Sequence, residues 1–334
     1  MHNKSFTVDN QITILGGRNI ADEYFGLNSK ARFHDEDVLA IGPIVQDVSN
    51  SFDLYWNHRT ALPTPAFCRP IENPKEKLDS MREKYAETVR DAASTKYSEA
   101  TRANEIAYLN DKGDIFRWAP YEFVVDSPDK GIPSRADNAP SIVTPLTESI
   151  DKVEKRLMVI SPYFVPTEQE IEDYVNLSQK QGVEVVIVTN SLAANNMFLV
   201  HGGYAPARKP LLRAGIKIYE ARADSHVRGS EHIDVKNAVT TLHTKEFIVD
   251  HKELFIGSFN FDPRSINLNT ECGVIIRDPG FAEEVAKGYE AIFSTHAFEV
   301  FLNDSGRLRW RTCIEGKPKV FRREPQTSLS QRFL

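Results

Sequence analysis

Leu242-His243-Thr244-Lys245-Glu246-Phe247-Ile248-Val249-Asp250, followed by Gly257-Ser258-Phe259-Asn260, is the stretch that decides the fold. Val239–Val249 is β-branched and half-alternating, and so is Glu253–Ser258. Between them lies a polar turn opened by Asp250, so the pattern predicts a β-hairpin. Residues two apart on a strand share a face, which puts His243 and Lys245 together. If Val249 faces Leu254, Lys245 lies opposite Ser258 and His243 opposite Asn260. One patch then holds an imidazole, an ammonium, a hydroxyl and an amide, the makings of an anion site containing a nucleophile.

The pattern occurs twice. His2, Lys4 and Asp9 repeat the spacing of His243, Lys245 and Asp250. Gly16, Gly17 and Asn19 repeat Gly257, Ser258 and Asn260 at the same distance, with Lys4 expected opposite Gly17 and His2 opposite Asn19. A duplicated motif of this length implies a duplicated architecture. A neutral imidazole can attack phosphorus, and a protonated one can donate to the leaving oxygen. Histidine suits both roles because it titrates near neutrality. Lys4 and Lys245 would neutralise the non-bridging oxygens, while Asn19, Ser258 and Asn260 would hydrogen-bond the phosphate. Each repeat supplies half of this site, so the cleft is expected between the halves.

These paired motifs resemble those of the phospholipase D superfamily. Ile160–Pro166, Thr189–Ala193, Arg208–Leu212 and Asn260–Ser265 narrow the resemblance to bacterial cardiolipin synthases, especially their C-type branch. The resemblance implies an α/β fold: a duplicated α/β sandwich of two domains, with mixed central sheets flanked by helices. It implies a phosphatidyltransferase that makes cardiolipin through a phospho-histidine. A phospholipase D-type hydrolase or nuclease, and an inactive remnant, are the alternatives. It makes His2 the nucleophile and His243 the general acid, and completes the catalytic set with Lys4, Lys245, Asp9 and Asp250. Asp9 and Asp250 sit at turns, which gives them a mainly structural part. An acidic residue after each motif is expected to orient a histidine, and Asp37 and Glu271 stand in those places. Gly17 departs from the family's usual Ser and removes one hydroxyl. No metal and no cofactor are implied. The implied partners are phospholipids (phosphatidylglycerol and phosphatidylethanolamine) and a membrane surface, with peripheral attachment to the cytoplasmic face of the bacterial inner membrane.

Composition is compatible with this. The chain has 334 residues, enough for one large or two ordinary domains. A net charge of −6 argues against a nucleic-acid partner. Cys68, Cys272 and Cys313 form no Cys-x-x-Cys pair and suit free thiols. No run reaches the ~18 apolar residues of a membrane span.

Along the chain, Asn19–Glu36 reads as loop, Asp37–Ile41 as strand and Val45–His58 as amphipathic helix. Four prolines make Thr60–Pro74 irregular, and helical spacing runs from Lys75 to about Leu109. Ile115–Val125 returns to strand character. Asp126–Pro140, rich in Pro, marks a boundary between domains at 1–125 and 126–334. Beyond it, helices at Pro145–Lys155, Glu168–Gln181, Tyr204–Ala214 and Pro279–His296 alternate with strands at Arg156–Pro162, Val183–Asn190, Ile216–Glu220 and Cys272–Arg277. His201, Tyr204 and Arg208 are candidate substrate-side groups. His226, His232 and His251 lack metal-ligand spacing. About a hundred residues of α/β scaffold precede His243 but one residue precedes His2, so the first domain is expected to be incomplete at its N-terminus. Eight Lys or Arg against two Glu make the tail from Ser305 basic. It reads as a hairpin around Glu315-Gly316: either a charged, solvated edge or a lipid-facing surface carrying Trp310 and Phe321.

Overall fold

A computed structural model describes residues 1–25, 30–93, 102, 116–132, 139–225 and 239–333. The elements run β1 (Ser5–Val8), β2 (Ile12–Gly16), β3 (Ala31–His34), β4 (Asp37–Ile41), α1 (Pro43–Trp56), α2 (Pro74–Ala93), β5 (Tyr121–Val125), α3 (Val143–Ile150), β6 (Arg156–Ile160), α4 (Glu168–Gln181), β7 (Glu184–Asn190) and α5 (Phe198–Tyr204). They continue α6 (Arg208–Arg213), β8 (Lys217–Ala221), β9 (Val239–Leu242), β10 (Glu246–Val249), β11 (Glu253–Gly257), α7 (Pro263–Asn267), β12 (Cys272–Ile276), α8 (Pro279–His296), β13 (Ala297–Leu302), β14 (Leu308–Ile314) and β15 (Lys317–Phe321).

Ten strands form the main sheet, in the order β15-β14-β13-β8-β7-β6-β10-β11-β12-β5. Its centre, β6-β7-β8, is parallel, and the other pairings are antiparallel. Parallel strands need crossovers, and α4 and the α5–α6 segment supply them. The start of α4 is set by Thr167, which takes Glu170 N–H while the Glu170 carboxylate takes Thr167 N–H; Gly182, at φ 71°, ends it. Strand alternation divides the core. Phe247 and Val249 pack with Leu157, Val159, Phe255 and Leu211 on one face, and Ile248 packs with Met158, Leu254 and Tyr289 on the other, under α8.

A three-stranded antiparallel sheet, β1-β2-β4, is the second unit. It lies on the main sheet through Leu15, Val38 and α1 residues Ile44, Val45 and Val48 against Val274 and Ile276. Tyr121–Val125, at the end of the 1–125 division, pairs with β12 in the main sheet.

Several expectations need correction. Asn19–Glu36 is not all loop: β3 pairs in parallel with β9, from Ala31 opposite Val239 to His34 opposite Leu242. The predicted strand Val239–Val249 breaks at His243–Lys245, because β9 pairs with β3 while β10 pairs with β6 and β11. The predicted helix at Pro145 ends early, at Ile150. Trp310 faces inward and donates to Glu220, 2.8 Å away, so it does not lie on a surface. Most of the helical stretch between Ala93 and Leu109, part of the Asp126–Pro140 boundary, and His226 and His232 lie outside the described residues.

Candidate active site

Each motif hairpin turns through two left-handed residues. Asp9 and Asn10 have φ 50° and 53°, and Gln11 N–H reaches Val8 C=O at 2.9 Å. Asp250 and His251 have φ 52° and 56°, and Lys252 N–H reaches Val249 C=O at 2.8 Å. Asp, Asn and His tolerate this region better than other side chains. Val8 therefore faces Ile12, and Val249 faces Glu253. Both ladders lie one residue away from the predicted register, and Lys245 lies opposite Gly257, whose N–H it accepts at 3.2 Å. The Asp250 carboxylate accepts from Glu154, Lys155 and Arg156 N–H at 3.0, 2.8 and 2.8 Å. Those three bonds occupy it in holding the entry to β6. Asp9 is exposed. Asp250 thus has a structural part at its turn.

The histidines are oriented crosswise. His243 Nδ1 lies 2.5 Å from Asp35 Oδ2, and His2 Nδ1 lies 2.7 Å from Glu271 Oε2. Each imidazole thus meets the carboxylate that follows the other motif. Asp37, the expected orienting acid, instead receives Arg18 Nε at 2.6 Å. The reason is position. Asp37 lies in β4 opposite Gly16, whereas Asp35 sits in the connection after β3, free of ladder pairing. His34 C=O receives His243 N–H at 2.6 Å, and Arg18 Nη2 donates to Asp35 C=O at 2.6 Å. These bonds bring Asp35 to His243.

Gly17 and Ser258 now acquire different meanings. A Cβ at Gly17 would collide with Asp35 Oδ1. In the second repeat Ser258, fully buried, donates to Glu271 Oε2 at 2.6 Å. Ser258 therefore spends its hydroxyl proton on the orienting acid, where the phosphate was the expected partner. Ser265 and Asn269 donate to Glu271 Oε1 at 2.9 and 3.2 Å.

Lys245 is 1% exposed and His243 5%. Lys245 Nζ bonds to His243 C=O and lies 3.1 and 3.3 Å from the two ring nitrogens. Burial, and then the Lys245 charge, bring the His243 imidazole down to about 4 despite Asp35. Burial brings Lys245 down to about 7, opposed by Asp35 and Glu271 and assisted by the repulsion of Lys4. Burial also lowers Lys4, whose Nζ donates to His2 C=O at 2.7 Å. The Glu271 carboxylate takes both His2 of the first motif and Ser258 of the second repeat, which brings the two hairpins together.

Asn19 Nδ2 donates to the Tyr24 hydroxyl at 2.7 Å, and that hydroxyl lies 3.5 Å from His243 Nε2. Asn260 is buried, and its Oδ1 has no hydrogen-bond partner among the described residues. Phe33 stacks on His243 at 5.5 Å, and the Tyr163 ring stands edge-on at 6.4 Å. Sequence reasoning missed Asp35, Tyr24, Phe33 and Tyr163. Asp35 stood in plain view within Asp35-Glu36-Asp37, but spacing alone does not choose among three acids. His201, Tyr204 and Arg208 join a different cluster. Tyr204 and Arg208 donate to Glu220 at 3.0 and 3.2 Å, Arg208 donates to Glu324 at 2.7 Å, and His201 lies 3.8 Å from Glu324.

Two imidazole–ammonium pairs with crossed carboxylates, on two hairpins in an α/β fold, are the arrangement that the phospholipase D resemblance leads one to expect. A family model described as "Cardiolipin synthase, PLD-like domain" matches residues 146–296. Cardiolipin synthase C of Escherichia coli K12 is 36% identical over the whole chain, which covers 70% of that protein. Cardiolipin synthase A of Pseudomonas syringae is 24% identical, with 92% of this chain and 50% of that protein aligned. Among solved structures, phosphatidylserine synthase of Haemophilus influenzae shares the fold at TM-score 0.57 and 15% identity, over 90% of this chain and 63% of that one. The chain belongs to the phospholipase D-like cardiolipin synthase family, a family of phosphatidyltransferases.

Proposed function

We propose that this chain joins two phospholipids by phosphatidyl transfer, forming cardiolipin. The observation that carries the reading is the crossed pairing of His243 with Asp35 and His2 with Glu271, which fixes each imidazole on an acid that follows the other motif. One imidazole attacks phosphorus, forming the P–N bond as the P–O bond to the leaving glycerol breaks. The other, protonated, gives its proton to that glycerol oxygen. In the second half, the acceptor headgroup hydroxyl gives its proton to the second imidazole, and its oxygen displaces the first from phosphorus. Lys4 and Lys245 neutralise the non-bridging oxygens, and Asn19 and Asn260 add hydrogen bonds.

Protonation in the free site supports His243 as the attacking imidazole, because it is held neutral at pH 7. His2, partly exposed and bonded to the buried Glu271 carboxylate, is then left as the general acid. The resemblance implies the opposite order. Trapping labelled phospho-enzyme separates the two: His2→Ala should still label, and His243→Ala should not.

The donor is proposed to be phosphatidylglycerol, and the acceptor phosphatidylglycerol or phosphatidylethanolamine. Attachment is proposed to be peripheral, on the cytoplasmic face of the bacterial inner membrane. Among the described residues no helix is long and apolar enough to cross a membrane. Vesicles of labelled phosphatidylglycerol should yield labelled diphosphatidyl product. Release of free glycerol without that product would replace transfer by hydrolysis.

A further inference from the structure

A hydroxyl stands beside the reacting nitrogen of His243. Nδ1 is held by Asp35 at 2.5 Å, which leaves Nε2 to face the phosphate. Two donors stand at Nε2: Lys245 Nζ at 3.3 Å and the Tyr24 hydroxyl at 3.5 Å. Tyr24 is buried and reaches the site from the connection between β2 and β3. Its ring stands edge-on to His243 at 5.1 Å and to Phe33 at 4.9 Å, and Phe33 in turn stacks on His243. These contacts fix where the phenol oxygen lies. Asn19 Nδ2 donates to that oxygen at 2.7 Å, so the hydroxyl's own proton goes to Nε2 or to a stronger acceptor that enters. At 3.5 Å the bond to Nε2 is at the limit of useful length and is easily exchanged.

The second repeat shows what a hydroxyl at this spacing does when it serves structure. Tyr24 follows Asn19 by five residues, and Ser265 follows Asn260 by five. Ser265 donates to the orienting acid Glu271 at 2.9 Å and accepts Asn260 N–H at 3.3 Å. Tyr24 does not support its acid in this way, and Asp35 Oδ1 is buried without a hydrogen-bond partner among the described residues. The phenol reaches past the acid to the imidazole itself.

An imidazole poised to attack lies about 3 Å from phosphorus. The non-bridging oxygens are one bond from phosphorus, so a hydroxyl 3.5 Å from the same nitrogen can reach one of them. Burial pushes the Tyr24 hydroxyl up to about 12, which keeps it a donor through the working pH range. As Nε2 spends its lone pair on phosphorus it stops accepting, while charge gathers on the oxygens. We propose that Tyr24 is a further catalytic residue: its hydroxyl then turns from His243 Nε2 to a non-bridging phosphoryl oxygen and stabilises that charge. This inference rests on the reading of His243 as the attacking imidazole.

Tyr24→Phe keeps the ring against Phe33 and His243 and removes the hydroxyl alone. It is compared with the full chain on vesicles of phosphatidylglycerol and of its two phosphorothioate diastereomers, each with sulfur for one non-bridging oxygen. Sulfur accepts hydrogen bonds poorly. Consumption of substrate is followed, so transfer and hydrolysis count alike. Tyr24→Phe is expected to lower kcat about 10²-fold, with KM within about threefold. For one diastereomer the ratio of oxygen to sulfur rates should shrink about fivefold or more, because the bond that sulfur weakens is already gone. For the other diastereomer it should not move. These ratios are internal to each enzyme, so a misfolded fraction of Tyr24→Phe leaves them unaltered. Parental kcat in Tyr24→Phe overturns the proposal. So does a uniform loss on all three substrates, which is what a packing role alone produces. Labelling in a His2→Ala background separates the two levels. If no phosphate is trapped on His243, the attacking-imidazole reading fails. If His243 labels at the same rate with and without Tyr24→Phe, only the role of the tyrosine fails.

Discussion

Lys245 shows the cost of the site at a single residue. An ammonium that is 1% exposed is expensive, and burial lowers its proton affinity to about 7. The unfolded chain holds that proton up to the ordinary lysine range. Between about pH 7 and that range the unfolded state binds more protons, so this position's contribution to stability rises with pH and is least favourable below 7. Lys245→Met is therefore expected to be stabilised by roughly 1–3 kcal/mol at pH 7 while losing about 10³-fold or more in kcat. Calorimetry and vesicle assays on the same preparation check both. In the parent, kcat/KM should fall as pH rises through about 7, when Lys245 loses its charge. The limb in kcat should lie higher, because a bound phosphodiester anion favours the ammonium. Gly17 carries a second residue-scale expectation. A side chain there meets the Asp35 carboxylate, so Gly17→Ser, although it restores the family's usual residue, should displace the acid and lower kcat roughly tenfold. Parental kcat in Gly17→Ser would show that the connection yields freely.

At the scale of the element, the motif hairpin is a turn, a strand pair and a clamp. Asp250 closes the clamp by accepting three backbone N–H groups ahead of β6. Asp250→Ala leaves those donors poorly satisfied and should cost roughly 2 kcal/mol in unfolding experiments, with kcat near parental well below the melting temperature. Asp9, exposed at the equivalent turn but held at φ 50°, should cost about 1 kcal/mol when changed to Ala, from backbone strain and not from lost bonds. A large kcat loss in a folded Asp250→Ala would return that aspartate to the chemistry. The hairpins were legible in the sequence because their signal is local: alternation, a polar turn and a repeat in identical spacing. Their register was not, because it turns on how many residues the connection uses. Two left-handed residues at Asp250 and His251 let Val249 meet Glu253, one place before the expected Leu254. Strand β3 carries no strong local pattern in Ala31-Arg32-Phe33-His34, and its partner β9 lies some two hundred residues away. Asp35 was hidden for the same reason, since it is delivered by that distant pairing. Trp310 beside basic residues resembled a lipid-facing tryptophan, yet its indole N–H is needed by the buried Glu220.

At the scale of the molecule, the two halves exchange their orienting acids. Asp35 follows the first motif and serves His243; Glu271 follows the second and serves His2. Residues 2–4 extend this exchange by lying along 270–272: His2 N–H meets Thr270 C=O at 2.9 Å and Thr270 Oγ1 meets Asn3 at 2.7 Å. Neither half then holds a complete histidine–acid pair, and damage in one half should appear as loss of the other half's histidine. The phospho-enzyme experiment can be arranged to read this directly. In a His2→Ala background, label can reside only on His243. Adding Asp35→Asn should slow labelling by roughly 10²-fold or more, because the imidazole loses the group that fixes its tautomer and direction. Adding Glu271→Gln should change labelling by no more than about threefold, because the acid's imidazole is already gone and Gln keeps an acceptor for Ser258. If each acid served the histidine of its own motif, the two results would change places. A His243→Ala background that labels instead of His2→Ala would reverse the nucleophile assignment but leave the exchange testable, with Glu271→Gln then the damaging change. Only labelling that ignores both acids would separate the halves.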